Sequence, residues 1–158
     1  SNIIYEFKKR DRNKPLILMG AELNQLIDYV HESAKKDFEY IASKYWPGAL
    51  TMIIPYSKIE TEIITSNDLT LGLRIPNSSL AQSLMQETGP LLTSSANISG
   101  FTGSITAEGI ASDFPSLEIV GPIPWEKSSG KASTIIFWKK SGDWRLIREG
   151  EVLVKELN

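Results

Sequence analysis

Pro90-Leu91-Leu92-Thr93-Ser94-Ser95-Ala96-Asn97-Ile98-Ser99-Gly100 is the stretch around which the rest of the chain is organised. Leu91 and Leu92 form a short apolar run and predict a buried strand. The run stops in five small polar residues, Thr93, Ser94, Ser95, Asn97 and Ser99, and then Gly100. Open α/β sheets place their ligands at strand ends of this kind. Hydroxyl and amide groups there can hold a phosphate or a carboxylate without adding charge. Ser, Asn and Gly are also the usual turn residues, so taken alone the stretch reads as a turn.

At 158 residues the chain is expected to be one domain, long enough to bury about 70% of its unfolded-chain surface. A net charge of −2 gives no global attraction to nucleic acid or membrane, so any anion site must come from a local cluster. Cysteine is absent, which excludes disulfides, thiolate metal sites and thiol nucleophiles and fits a reducing cytosol. No apolar run approaches the ~20 residues that a membrane helix needs, and no secretory signal pattern is present. A cytoplasmic protein without a membrane partner is expected. The chain opens on Ser1-Asn2 without Met, directly before an element, and reads as processed or trimmed.

Read in order, Ile3 to Phe7 is a short apolar-rich segment that runs into the basic stretch Lys8 to Lys14 and then Pro15. Leu16 to Met19 predicts a strand closed by Gly20. Glu22 to Val30 shows helical spacing in Leu23, Leu26, Ile27 and Val30. Asp37 to Tyr45 predicts a second helix with Phe38, Ile41, Ala42 and Tyr45 inward, broken by Trp46-Pro47-Gly48. Leu50 to Ile54 predicts a strand, and Ser57 to Asp68 a short helix or loop. Thr70 to Pro76 predicts a strand carrying Arg74, and Ser79 to Thr88 a helix stopped by Gly89-Pro90. Thr106 to Phe114 predicts a helix with Thr106 as N-cap. Leu117 to Val120 predicts a strand, and Gly121 to Lys131 a loop long enough to suggest a function or mobility. Ser133 to Trp138, the turn Ser141-Gly142-Asp143 and Trp144 to Arg148 read as a hairpin. The tail after Gly150 adds little.

Few residues offer acid–base chemistry. His31, the single histidine, sits at a predicted helix end, where histidine is most often solvated or capping. Asp68, Glu87, Glu108, Asp113 and Asp143 show no metal-ligand spacing, so no metal site is expected. No Gly-rich loop precedes Lys-Ser or Lys-Thr, so there is no P-loop. What remains are anion-holding parts: the basic segment Lys8 to Lys14, Arg74, the Ser95/Asn97 loop, Ser133-Thr134 and Arg148. Each alone has a plain reading, as solvated surface, ion-pair partner or strand propensity. Together at element ends they suit a reaction run by charge neutralisation and positioning on a phosphate.

The pieces resemble the YrdC-type threonylcarbamoyl-adenylate synthase family. Lys8-Lys9-Arg10, followed by Lys14-Pro15-Leu16, resembles the family's Lys-x-Arg segment. Trp46-Pro47-Gly48-Ala49-Leu50-Thr51 resembles its Trp-Pro-Gly-x-Leu-Thr turn, and Gly72-Leu73-Arg74-Ile75-Pro76 its Gly-x-Arg-x-Pro strand. Ser95-Ala96-Asn97-Ile98-Ser99-Gly100 resembles its Ser-Ala-Asn-x-Ser-Gly loop. Ser133-Thr134-Ile135-Ile136 resembles its Ser-Thr-Ile strand, and Arg148-Glu149-Gly150 its closing Arg-x-Gly. Six motifs in the family's order cover nearly the whole chain.

The resemblance implies an α/β (α+β) fold: a twisted mixed sheet with flanking helices, curled around a large, positively lined cavity. It implies that L-threonine, bicarbonate and ATP give threonylcarbamoyl-AMP and pyrophosphate, a nucleotidyltransferase reaction. The adenylate then serves the tRNA-modifying threonylcarbamoyl transferase machinery at adenosine 37, with tRNA as a further contact. Lys8 and Arg10 would neutralise the triphosphate and the carboxylate of the threonyl carbamate. Ser95, Asn97, Ser133 and Arg148 would hold nucleotide and substrate, with Thr51 and Arg74 as weaker candidates. Mg²⁺ would ride on the ATP phosphates. The family's opening strand, Pro-Thr-Asp/Glu-Thr-Val-Tyr-Gly-Leu, and the helix after it are not in residues 1–158, nor is the second domain of longer members. The expectation is a single domain trimmed of, or lacking, part of the threonine pocket. Asp11, Ala49 and Ala132 stand where the family usually has Pro, Pro and Glu. Two other readings compete: a non-catalytic RNA-binding module with a basic cavity, which the slightly acidic balance disfavours, and a carbamoyl-adenylate-forming domain like that of hydrogenase maturation factors.

Overall fold

Six strands carry the architecture: β1 (Ile17–Met19), β2 (Leu50–Pro55), β3 (Thr70–Arg74), β4 (Leu91–Thr93), β5 (Thr134–Lys140) and β6 (Asp143–Arg148). Four helices accompany them: α1 (Asn2–Phe7), α2 (Lys35–Tyr45), α3 (Ser79–Thr88) and α4 (Ala107–Asp113). The computed structural model describes residues 2–8, 16–57, 70–97 and 103–157. Its strands join in one twisted mixed sheet in the order β4-β1-β3-β2-β5-β6. β1 runs parallel to β3, and β2 parallel to β5; the β1/β4, β2/β3 and β5/β6 pairs are antiparallel.

Strand alternation sorts the sheet into two unlike faces. Leu50, Met52 and Ile54 of β2, Leu73 of β3 and Ile136 of β5 are fully buried on one face. They form one core with Leu26, Val30, Phe38 and Ile41 from the layer that covers them. Each such side chain contributes roughly 1.5–3 kcal/mol on burial. The intervening positions, Thr51, Gly72 and Arg74, belong to the opposite face, as does Ser133 at the entrance to β5. The residues that could bind a ligand are therefore set by the same period that builds the core.

α2 follows the predicted spacing, with Phe38, Ile41 and Ala42 buried. It ends at Trp46, because the residue before Pro47 is biased away from the helical region. The Trp46 ring meets Phe38 edge to face at 5.4 Å, and its Nε1 donates to the Leu50 carbonyl at 2.7 Å. Thr106 caps α4 as predicted, accepting from the Gly109 N–H.

Several expectations are revised. Ile3 to Phe7, read only as an apolar-rich segment, lies within α1. Glu22 to Val30 is not one α-helix but two successive 3₁₀ turns, Leu23–Gln25 and Ile27–Tyr29. The sheet claims its far end: Val30 makes an isolated bridge with Tyr56, and the His31 N–H donates to the Pro55 carbonyl. Leu91 and Leu92 are half-buried rather than buried, because β4 is an edge strand. Leu117 to Val120 is not a strand; Leu117 closes a turn onto the Phe114 carbonyl, and Leu117 and Val120 are exposed. The tail after Gly150 is structural. Val154 enters the core, the Val152 N–H donates to Thr134 Oγ1, and the Lys155 N–H donates to the Tyr45 hydroxyl. The predicted helix or loop from Ser57 to Asp68 lies, after Ser57, outside the described residues, as does 9–15. Among the described residues no helix is long and apolar enough to cross a membrane.

Asp37 ties the helical layer to the β5–β6 hairpin. Its Oδ2 accepts from Trp138 Nε1 and from the Gly142 N–H, both at 2.8 Å. Gly142 supplies the left-handed turn conformation at φ +72°. Asp37→Ala leaves both donors without this acceptor and is expected to lower the unfolding free energy by about 2–3 kcal/mol. Chemical denaturation followed by tryptophan fluorescence measures this. A loss below about 0.5 kcal/mol would show that the carboxylate does not hold the hairpin.

Candidate active site

Distant motifs meet in pairs, and backbone geometry decides which. Lys8 follows the last turn of α1, where its N–H donates to the Ile4 carbonyl. The residue is 7% exposed. A buried ammonium must find oxygen acceptors to offset lost hydration. Lys8 Nζ donates to Ser94 Oγ at 3.1 Å, to Asn97 Oδ1 at 3.4 Å and to the Ser95 carbonyl. Ser95 Oγ in turn donates to Asn97 Oδ1 at 2.5 Å. The loop that leaves β4 is thus wrapped on the Lys8 ammonium, and Ser95 keeps an exposed position at its rim. Arg10, the other half of the Lys-x-Arg segment, lies outside the described residues.

A second cluster spans β2, β5 and β6. Thr51 Oγ1 lies 3.0 Å from Ser133 Oγ. Arg148 places Nε and Nη2 on the Ser133 carbonyl at 3.1 and 2.8 Å, and Nη2 reaches Ser133 Oγ at 3.2 Å. Gly150 makes this approach possible. A Cβ there would sit 2.4 Å from the Ala132 carbonyl oxygen, the Ser133 carbonyl carbon and the Thr134 nitrogen, all backbone atoms. The Arg-x-Gly and Ser-Thr motifs are therefore two sides of one close contact. Thr51 is 1% exposed and reaches Ser133, so it supports the cluster from beneath.

Arg74 ends β3 beside the Trp-Pro-Gly turn. Its Nε donates to the Gly48 carbonyl at 3.0 Å, and the Gly48 N–H donates to the Ile75 carbonyl. A Cβ at residue 48 would lie 2.2 Å from the Tyr45 carbonyl oxygen, so glycine is required for the turn to hold the arginine. Arg74 lines a cavity of about 1020 Å³ together with Gly48, Ala49, Trp125 and Glu151. Burial pushes its guanidinium below the ordinary arginine value; the Glu151 carboxylate acts in the opposite direction and the Arg148 charge adds to the lowering. Arginine stays cationic at any working pH, so Arg74 and Arg148 act as two like charges with the Glu151 carboxylate between their effects.

Two participants were not among the predicted site residues. Ser94 is one residue upstream of the Ser-x-Asn pair and is the residue that receives the Lys8 proton on a hydroxyl. Glu151 lies past the last motif. Besides facing Arg74, it accepts from Ser129 Oγ at 2.9 Å and so ties the 121–131 loop to the cavity wall. Among the described residues no group of three or more His, Cys, Asp or Glu side chains could hold a metal ion. Of the predicted site residues, Arg74 lines the cavity, Lys8 gathers Ser95 and Asn97, and Ser133 gathers Thr51 and Arg148; each cluster pairs a cation with neutral oxygens.

This arrangement has parallels among known proteins. A family model covering Sua5, YciO and YrdC proteins, described as telomere recombination, matches residues 1–150. Threonylcarbamoyl-AMP synthase of Pyrococcus abyssi is 33% identical over 112 residues, which cover 70% of this chain and 33% of the relative. The synthase of Bacillus subtilis is 36% identical over 112 residues, covering 70% and 32%. That of Idiomarina loihiensis is 32% identical over 113 residues, covering 70% and 61%. The chain thus spans about a third of the first two relatives. The crystal structure of P. abyssi Sua5 complexed with L-threonine superposes with a TM-score of 0.82 at 31% identity, over 94% of this chain and 44% of that one. E. coli YciO, at 23% identity and a TM-score of 0.77, shares the fold over 99% of this chain and 76% of its own.

Gly150→Ala is expected to force the backbone at Ala132–Thr134 outward. The expected cost is about 1–3 kcal/mol of stability, with the Arg148–Ser133 hydrogen bonds lost in a crystal structure of the variant. Unchanged stability and an intact Arg148–Ser133 contact would contradict the close-approach account.

Proposed function

The chain belongs to the Sua5, YciO and YrdC family, and from that premise we propose that it is an L-threonylcarbamoyladenylate synthase. It forms threonylcarbamoyl-AMP and pyrophosphate from L-threonine, bicarbonate and ATP. The observation that carries this reading is Lys8 Nζ seated on Ser94, Ser95 and Asn97. This seat gathers a buried cation and neutral hydrogen-bonding groups at a strand end, as a reaction centred on phosphate requires.

The chemistry follows from those parts. Threonine and bicarbonate combine to a carbamate with loss of water. A carbamate oxygen attacks the α-phosphorus of ATP; the bond from that phosphorus to the bridging oxygen breaks, and pyrophosphate leaves with the electron pair. Lys8 and Arg10 neutralise the charge that builds on the phosphoryl oxygens and the pyrophosphate. Ser95 and Asn97 position the nucleotide phosphate, while Ser133, Arg148 and Arg74 hold the remaining anionic groups. No residue need exchange a proton in this displacement; the barrier falls by preorganised positive charge and donors. The donor set is hydroxyl, amide and cationic, which suits Mg²⁺ arriving on the ATP phosphates and leaves the protein to bind the phosphates themselves. On this reading residues 1–158 form one domain of the family fold. They act in the cytosol as a nucleotidyltransferase and pass the adenylate to the tRNA-modifying transferase machinery.

The intact protein, incubated with ATP, bicarbonate and L-threonine, is expected to yield threonylcarbamoyl-AMP by mass spectrometry, with pyrophosphate release that depends on threonine. Lys8→Ala is expected to lower the rate by about 10²–10³-fold, the scale for loss of one preorganised stabilising group. Full activity of Lys8→Ala would remove Lys8 from the mechanism. Pyrophosphate release that ignores threonine but requires carbamoyl phosphate would replace this reaction with carbamoyl-adenylate formation.

A further inference from the structure

The Thr51–Ser133 contact leaves one proton unassigned. Each hydroxyl has one proton and two lone pairs. Thr51 is 1% exposed, and among the described residues its hydroxyl has one partner, Ser133 Oγ at 3.0 Å. Ser133 Oγ touches Thr51 Oγ1 and Arg148 Nη2, at 3.0 and 3.2 Å. Arg148 can only donate. Two hydroxyl protons therefore share a single hydroxyl–hydroxyl contact, and only one of them can lie along it.

Thr51 is the more deeply enclosed of the two, at 1% exposure against 6% for Ser133. If Ser133 donated to Thr51, the Thr51 proton would be left in a nearly sealed position without an acceptor, which folded structures avoid. If Thr51 donates, both Ser133 lone pairs are filled, one by Thr51 and one by Arg148. The Ser133 proton is then the one left over, at 6% exposure, on the sheet face opposite the core. β-Branching holds Thr51 Oγ1 in few χ1 rotamers, so the oxygen stays within reach of Ser133. An oxygen that accepts from a guanidinium and from a second donor is polarised and becomes a better donor itself.

We propose that Thr51 is a positioning residue: its hydroxyl donates to Ser133 Oγ and thereby commits the Ser133 proton to an anionic oxygen of the bound substrate. Thr51 itself touches no substrate. The proposal rests on the synthase reading for the nature of that substrate and names a residue acting one step behind the site. It also explains why a hydroxyl residue occupies a strand position whose neighbours Leu50 and Met52 are wholly apolar and buried.

Isothermal titration of ATP into the intact protein tests it, using Thr51→Val, Thr51→Ser, Ser133→Ala and the Thr51→Val/Ser133→Ala double variant. Thr51→Val is expected to weaken ATP binding about tenfold, the scale for losing one hydrogen bond to a charged group. Thr51→Ser, which keeps the donor, should bind within about twofold of the wild type. In the Ser133→Ala background Thr51→Val should cost nothing further, because a residue acting through Ser133 has nothing left to position. If Thr51→Val does not fold, Thr51→Cys takes its place, with a loss between those of the Val and Ser variants. Wild-type affinity in Thr51→Val, full additivity in the double variant, or failure of Thr51→Ser to bind would each overturn the inference while leaving the synthase reading intact. A wild-type protein that does not bind ATP would overturn both.

Discussion

Burying the Lys8 ammonium commits the structure around it. A cation at 7% exposure has given up most of its hydration, and its oxygen acceptors must be fixed in place before that loss is tolerable. They are supplied by a loop 86 to 89 positions further along the chain. α1 can therefore dock only where β4 ends, and the loop after β4 can take only a course that turns Ser94, the Ser95 carbonyl and Asn97 toward the ammonium. What looks in the sequence like a run of turn residues is the counterpart of a charge.

The same logic of pairing holds across the sheet. The six motifs form three partnerships, each made by contact between chain segments far apart in sequence. The Lys-x-Arg segment meets the Ser-x-Asn loop through Lys8. The Trp-Pro-Gly turn clamps the Gly-x-Arg strand through the Gly48 carbonyl and Arg74 Nε. The Ser-Thr strand receives the Arg-x-Gly segment through Arg148 and the bare α-carbon of Gly150. In each case one partner brings a cation and the other brings backbone or hydroxyl oxygen. Each of these cations is held by neutral oxygens, and at Arg74 the Glu151 carboxylate also acts on the charge.

Much of this was legible in the sequence, and the parts that were not share a cause. The apolar strand Leu50 to Ile54 and helical spacing in Phe38, Ile41 and Ala42 marked the core correctly, since burial on one face is a local property of a strand or helix. Glu22 to Val30 has the spacing of a helix too, yet tighter turns replace it because Val30 is drawn into a bridge with Tyr56, a long-range demand no window reveals. Leu117 and Val120 have strand-like residues, but no strand of the sheet pairs with them. Lys8, Ser95, Asn97, Ser133 and Arg148 were singled out by residue type at element ends, and the structure brings Lys8 to Asn97 and Arg148 to Ser133. Ser94 and Glu151 were passed over, since their importance comes from what lies opposite them in space. Thr51 was read as a ligand contact from its motif; the structure adds its burial and its contact with Ser133 Oγ at 3.0 Å, which no sequence window shows.

A crystal structure of the intact protein with ATP bound tests the central claim most directly. The account predicts the phosphates lying against Lys8 Nζ and the Ser95–Asn97 loop, with Ser133 and Arg148 facing the same ligand. ATP bound on the far side of the sheet, or at any place where Lys8 and Ser133 do not both face it, would contradict the account.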